Sequence, residues 1–540
     1  MRATKMNNKN LVTRLFLAPI LALMLAAAAH ASTPGIKGAT FNLTASQEYL
    51  NQPDGAAVYS WGYGCTGSTP GSATFVPALT TTPFCNVMQV PGPTLVVNEG
   101  ASVTVVLTNK LPAGAGNTSI LFPGFQLTST CPAGQQGLLT CEAAPNGTVT
   151  YTFTATTPGT HAYYSGTQGD LQVEMGLYGA IIVVPTVVPT GCTAVGSIPA
   201  HYVAPGNSAE ADYRLAASAY DNVNTCYDRE YLFQFSEMDP NIHTQALAQV
   251  KAIAACVTSA TQICPTSLDV PTEPYHPAYF MINGRSMPDD MDTNYAIEYP
   301  HQPYNGNPHM HPGEQVLLRV IGQGRWQHPF HEHGNHVRIL GRDGNLILSQ
   351  ASAASAAQGA LAGPLLFTTT TTPGMAFDGI FYWTGKGLNW DAYGHNPGSS
   401  DGFATLPCTP DANGYNTSAV TALNYYEWCA DHNKPMESQP FGDVAAGGPA
   451  TLPDANILTN GAWYGGSPYL GPDATIRATG PTGTTPPSGT IANSPSGEAG
   501  FAFMWHSHNE REITTNNIFP GGMLMMMLVD SREFQIDESN

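Results

Sequence analysis

The sequence predicts an all-β protein built as two tandem β-sandwich domains with long loop insertions, and three observations carry that reading. Only 11% of the 540 residues are charged while glycine (55) and proline (44) are abundant, the composition of a turn-rich β chain. Short β-branched runs recur between residues 36 and 186, including Thr94-Leu-Val-Val, Ser102-Val-Thr-Val-Val-Leu, Thr148-Val-Thr-Tyr-Thr-Phe and Ala180-Ile-Ile-Val-Val. Proline and glycine break them about every ten residues, the rhythm of a sandwich or barrel. A second series opens at Arg229-Glu-Tyr-Leu-Phe-Gln-Phe and continues through Gln315-Val-Leu-Leu-Arg-Val-Ile to Met523–Val529.

These signals set the expected boundaries. Residues 1–31 read as a secretory signal peptide, with Arg2, Lys5, Lys9 and Arg14 ahead of an apolar run from Leu15 to Ala29 and a small-x-small cleavage site at Ala29-His30-Ala31. The apolar run is shorter than the roughly 20 residues of a spanning helix, so no membrane span is expected after cleavage. The first domain is expected over 32–186, a linker over 187–228 and the second domain over 229–540. Insertions interrupt the second domain at about 241–275, where Gln245–Thr258 suits a short helix, and at about 395–500, which is rich in Gly, Pro, Thr and Asn. Too few residues precede His328 for a third complete domain.

Export also suits the ten cysteines. They fall as near neighbours, Cys65 and Cys85, Cys131 and Cys141, Cys192 and Cys226, Cys256 and Cys264, Cys408 and Cys429, so five local disulfides are the simplest expectation. None lies in a CxxC or beside a histidine motif, which argues against a thiolate metal site. The formal charge of the whole chain is −20. Removing the four leader bases leaves 15 basic against 39 acidic residues, or −24. So acidic a chain opposes nucleic acid and anionic membranes.

The chemistry lies in two histidine strings, His328-Pro-Phe-His331-Glu-His333-Gly and Trp505-His506-Ser507-His508. Residues i and i+2 of a strand share a face, so each string presents two imidazoles together. Two such strands side by side form a multi-imidazole metal site that suits copper best, with zinc and nickel next. Glu510 and Glu512 either add a carboxylate to it or lie on the surface. Pro308-His309-Met-His311 is a further pair, read either as a second ion site or as a solvent loop. Met523, Met525, Met526 and Met527 read as strand core.

The strings resemble the third and fourth copper-ligand motifs of the multicopper oxidases. Pro91-Gly-Pro-Thr-Leu, Glu99-Gly, Leu107-Thr-Asn-Lys-Leu-Pro and Gly176-Leu-Tyr-Gly-Ala-Ile-Ile-Val resemble that family's first domain, element by element and in order. The resemblance implies tandem cupredoxin-like Greek-key β-sandwich domains, copper as cofactor, oxidoreductase chemistry on a small-molecule or metal-ion substrate, a secreted or periplasmic location and, as in two-domain relatives, a homotrimer. It matches His328 to a type 1 ligand, His331 to a type 2 ligand, and His333, His506 and His508 to type 3 ligands. Two departures stand against full activity. Ser507 occupies the position of the type 1 cysteine, and Leu121, Pro123, Tyr164 and Gly166 occupy the four histidine positions of the first domain. A non-catalytic copper-binding, storage or structural protein is therefore the alternative.

Overall fold

The computed structural model describes residues 33–66, 73–76, 84–128, 130–197, 210–259, 262–349, 360–386, 408–418, 424–430 and 500–530, together with 422, 466–469, 532 and 536. The expected leader and most of the 395–500 insertion lie outside these residues.

The β-branched runs of the N-terminal part form two sheets. One has the order Thr74–Val76, Gly35–Lys37, Leu95–Asn98, Tyr178–Val184, Gly159–Tyr164; the other runs Ala57–Cys65, Thr40–Asn51, Ser102–Asn109, Thr148–Thr154. Alternation decides which side is buried. In Ser102–Asn109 every second residue is buried, and in Thr148–Thr154 the buried set is Val149, Tyr151 and Phe153. These side chains meet Phe41, Leu43, Trp61 and Tyr63 from the same sheet and Ile181 and Val183 from the other in one core. The fold is all-β, as the sequence predicts.

Residues 229–530 form two further sheets. Tyr279–Ile282, Arg229–Met238, Gln315–Gly322, Ala376–Tyr382, Val337–Arg342 and Asn345–Leu346 are neighbours in one. His309–Met310, Leu524–Asp530, Gly500–Ser507, His328–Glu332 and Thr368–Thr371 follow one another in the second. Between these sheets lies an aromatic core of Phe233, Phe235, Phe330, Phe381, Trp383, Phe501, Phe503 and Trp505, closed by Met523, Met525 and Met527. Arg229–Met238 is buried along its whole length because its second face meets the N-terminal part.

The five neighbouring cysteine pairs form disulfides, as expected. The expected helix is longer at its start, running Pro240–Ala255. Asp239 caps it by accepting from the Asn241 N–H, and Pro240 holds a first-turn position that has no amide to satisfy. His243 fixes the helix to the N-terminal part through an Nδ1 contact of 2.6 Å to the Tyr59 carbonyl.

A buried ionic network joins the two halves of the chain. Arg319 bonds Glu230 at 2.7 Å and lies 3.6 Å from Asp378, and all three side chains are sealed from solvent. Asp378 in turn accepts from the Thr160 backbone N–H and hydroxyl and from the Tyr220 hydroxyl, so it ties the N-terminal sheet to the second. Removing one member leaves the others charged and unmatched in a dry site. Arg319→Met is expected to cost on the order of 3–5 kcal/mol in urea unfolding; a loss below about 1 kcal/mol, the range of an exposed pair, would show that water reaches the network.

Candidate metal centre

The strand His328–Glu332 pairs antiparallel with Gly500–Ser507, and the register sets His331 directly opposite His506. The i, i+2 geometry then brings His333 beside His506 across the pair. One nitrogen from each of His331, His333 and His506 lies within 4.8 Å of the others. Ring centroids are 4.9 Å apart for His331 and His333, 5.5 Å for His331 and His506, and 5.2 Å for His333 and His506. His508 stands at the rim, its centroid 4.8 Å from that of His331 and its side chain about half exposed.

Hydrogen bonds outside the cluster orient these rings. His331 Nδ1 meets the Thr368 hydroxyl at 2.6 Å and His506 Nδ1 donates to the Ser507 carbonyl at 2.7 Å, which leaves both Nε2 atoms for the interior. His506 Nε2 lies 3.3 Å from His333 Nε2, a spacing that needs either a shared proton or a cation between them. Burial, followed by the neighbouring imidazoles His333, His506 and His508, holds the pKa of His331 down at about 4. Burial also lowers that of His506, with His333 and His508 adding to the effect. Both rings are thus held toward the neutral form, in which imidazole ligates a metal.

His328 is placed differently. It is fully buried, and both of its nitrogens are engaged at 2.9 Å, Nδ1 by Glu512 and Nε2 by Glu237. Burial opposes protonation, but the hydrogen bonds to the two carboxylates outweigh it and raise the pKa to about 9. An imidazolium with both N–H groups bonded has no lone pair for a metal. Ser507 belongs to the same arrangement, since its hydroxyl donates to Glu512, while Asn509 Nδ2 donates to the second Glu512 oxygen at 2.9 Å. Glu512 is therefore a buried hub, whereas Glu510 is exposed. Met523, beside this site in sequence, is core.

The remaining candidates lie elsewhere. His309 meets Asp530 at 2.7 Å and His311 meets Glu210 at 2.9 Å, so this pair fastens the chain end instead of forming a solvent loop. His161 is buried against Phe125, with Nε2 at 3.2 Å from the Thr157 carbonyl. Leu121 and Tyr164 pair backbone to backbone. Glu237 and Thr368 were not singled out in the sequence; a charged residue inside the apolar run Tyr231–Met238 was the available signal for Glu237. Glu332, between the two ligand histidines, faces the aromatic core, where burial raises its pKa well above the carboxylate range.

Comparison with known proteins agrees with this architecture. Residues 73–187 match the family model described as multicopper oxidase. Over those residues the chain is similar to that family. It is 41% identical over 96 residues to an L-ascorbate oxidase of Brassica rapa subsp. pekinensis, covering 18% of this chain and 16% of the relative. Laccase-3 of Botryotinia fuckeliana is 37% identical over 97 residues, covering 17% and 20%. The matches thus span a fifth or less of the length of these relatives. Among solved structures, the blue copper oxidase of Nitrosomonas europaea aligns over 90% of this chain and 85% of its own, at 14% identity and a TM-score of 0.43.

The clamp around His328 makes stability depend on pH. Its folded pKa of about 9 lies above the ordinary 6.5, so its stabilisation is complete below about pH 6.5 and is lost as the pH rises through about 9. The native chain is expected to lose on the order of 2–3 kcal/mol more than its His328→Gln variant between pH 7 and 10, followed by urea unfolding. Parallel pH curves for the two proteins would remove the imidazolium.

Proposed function

We propose that the chain is an exported copper-binding oxidoreductase of multicopper oxidase ancestry whose metal site is reduced to His331, His333, His506 and His508. The grouping of three imidazole nitrogens within 4.8 Å carries this reading. The donor set fits copper, since it consists of neutral, borderline-soft nitrogens with no carboxylate among them. Copper held there would supply a one-electron redox centre. The chain's own part is to hold His331 and His506 toward the neutral form by burial, to aim them through Thr368 and the Ser507 carbonyl, and to leave the His508 side open to solvent.

The type 1 position does not fit copper. Its thiolate is replaced by Ser507, its histidine is enclosed by Glu237 and Glu512, and a Cu–thiolate bond has no donor. His328 is thereby assigned a positioning role. Through Glu512 it fixes the segment that follows Ser507, including His508. Export is supported by the leader sequence and by the pairing of all ten cysteines, and no helix among the described residues is long and apolar enough to cross a membrane.

A second reading, a non-catalytic protein that binds or stores copper, is favoured by one observation. Leu121, Pro123, Tyr164 and Gly166 provide no imidazole, so these four positions add no donor to the four-histidine wall.

Protein reloaded with Cu(II) is expected to hold one or two coppers per chain with an electron paramagnetic resonance signal and no absorption near about 600 nm, where Cu–thiolate sites absorb. The His331→Ala, His506→Ala double variant should lose tight copper while keeping its far-ultraviolet circular dichroism. Unchanged copper content in that variant would remove the site. Turnover of a reductant by the loaded protein, absent in the double variant, separates the oxidoreductase from the storage reading.

A further inference from the structure

A cavity of about 290 Å³ lies at the seam between the N-terminal sheets and the second pair. Leu121, Tyr164 and Val173 line it from the first side and Pro373 and Gly374 from the second, with Leu139 at the mouth. Its walls come from residues 121–173 and 323–374, so only the folded chain forms it.

The lining is built to stay open and apolar. A Cβ on Gly166 would lie 2.7 Å from Leu121 Cγ, so Leu121 fills the space that any side chain at 166 would need. Gly374 has a φ of +78°, and a Cβ there would come within 3.1 Å of the Tyr164 hydroxyl. The Tyr164 ring thus lies flat against bare backbone. Leu121 and Tyr164 are locked to each other by hydrogen bonds in both directions between their backbones, at 2.7 and 3.3 Å. The wall is consequently rigid before any ligand arrives, which lowers the ordering cost of binding. The Tyr164 hydroxyl forms no hydrogen bond among the described residues, so it is the one phenolic group free to receive a polar atom within this seam.

The mouth carries a further signal. Leu138 and Leu139 are 93% and 65% exposed, on a short loop closed by the Cys131–Cys141 disulfide and by paired backbone hydrogen bonds between Gln135 and Glu142 and between Gly137 and Thr140. Two adjacent leucines held out in water on a stapled loop cost solvation that a bound apolar molecule would recover, at roughly 25 cal/mol per Å² covered.

We propose that this seam is a binding site for an uncharged, largely apolar small molecule of roughly 10–15 non-hydrogen atoms carrying one hydrogen-bond acceptor. The ring system lies between Leu121, Val173 and Pro373, the acceptor receives the Tyr164 hydroxyl proton in a hydrogen bond, and Leu139 covers the exposed edge. The site is separate from the histidine cluster and does not depend on metal there. Three of its lining positions, Leu121, Tyr164 and Gly166, are those at which the resemblance calls for metal-binding histidines. A wall that would have been polar has become a hydrophobic pocket.

The test is calorimetric titration of the full chain with 1-tetralone, a neutral bicyclic ketone, and with tetralin, which lacks the carbonyl. Saturable 1:1 binding of the ketone is expected with a Kd of about 10–500 µM. Tyr164→Phe should weaken 1-tetralone about tenfold and leave tetralin unchanged. Val173→Trp should abolish binding of both by filling the cavity. Leu139→Glu, at an exposed position that cannot disturb the core, should weaken both at least fivefold. Absence of saturable binding up to millimolar ligand would overturn the proposal, as would wild-type affinity in Leu139→Glu together with wild-type affinity in a Val173→Trp protein that retains its circular dichroism.

Discussion

The antiparallel register between His328–Glu332 and Gly500–Ser507 is the constraint on which the histidine cluster depends. Side chains alternate with period two, so a slip of one residue would turn His506 into the aromatic core and Trp505 toward the imidazoles. The register is held from the opposite face. Phe330 packs edge-on against Trp505, with centroids 6.1 Å apart, and Trp505 meets Phe381 at 4.9 Å. The Trp505 indole N–H also donates to the His333 carbonyl at 2.9 Å, which fixes the strand beyond its last ladder bond. Apolar packing on one side of the sheet therefore sets the spacing of the nitrogen donors on the other.

Replacing a thiolate by a serine does not leave a gap here, because the surrounding polar groups have been rearranged as a set. Ser507 donates to Glu512, Glu512 bonds His328, and His328 bonds Glu237. Two carboxylates around one imidazolium give a net negative buried group, and its cost is offset by further donors: Glu512 receives Asn509, and Glu237 receives the amides of Arg325 and Trp326 at 2.7 and 2.8 Å. The set is thus a charge-assisted tie between three segments of the second pair of sheets. Reverting Ser507 to cysteine alone would leave His328 protonated and both carboxylates in place, so a single substitution does not rebuild a ligand set.

Much of the fold was legible because its signals are local. Period-two burial in Ser102–Asn109 and Thr148–Thr154, and cysteines that pair with their nearest neighbours, require no knowledge of distant contacts. The histidine wall was legible for the same reason, since i, i+2 spacing already places two imidazoles on one face. Glu512 and Glu237 were not. Their roles depend on contacts to His328 that cross 184 and 91 residues of sequence, and an acidic residue carries no mark of whether a loop will bury it. The helix start at Pro240 lay between these cases. Asp239-Pro240 is a recognisable cap, but an apolar pattern beginning at Gln245 drew the expected boundary five residues too late.

The two groups of positions that the resemblance pairs as metal ligands are packed differently in this chain. On the second pair of sheets His331 and His506 are buried on the face opposite the aromatic core and are held by hydrogen bonds to Thr368 and the Ser507 carbonyl. On the first, positions 121 and 164 are paired backbone to backbone at the seam with the second sandwich, where polar side chains without partners would be desolvated. Leucine, tyrosine and glycine at 121, 164 and 166 resolve that cost by burying carbon instead of nitrogen. The Arg319–Asp378 tie between the two pairs of sheets and the strand pair that holds His331, His333 and His506 thus both stand with leucine, tyrosine and glycine at 121, 164 and 166.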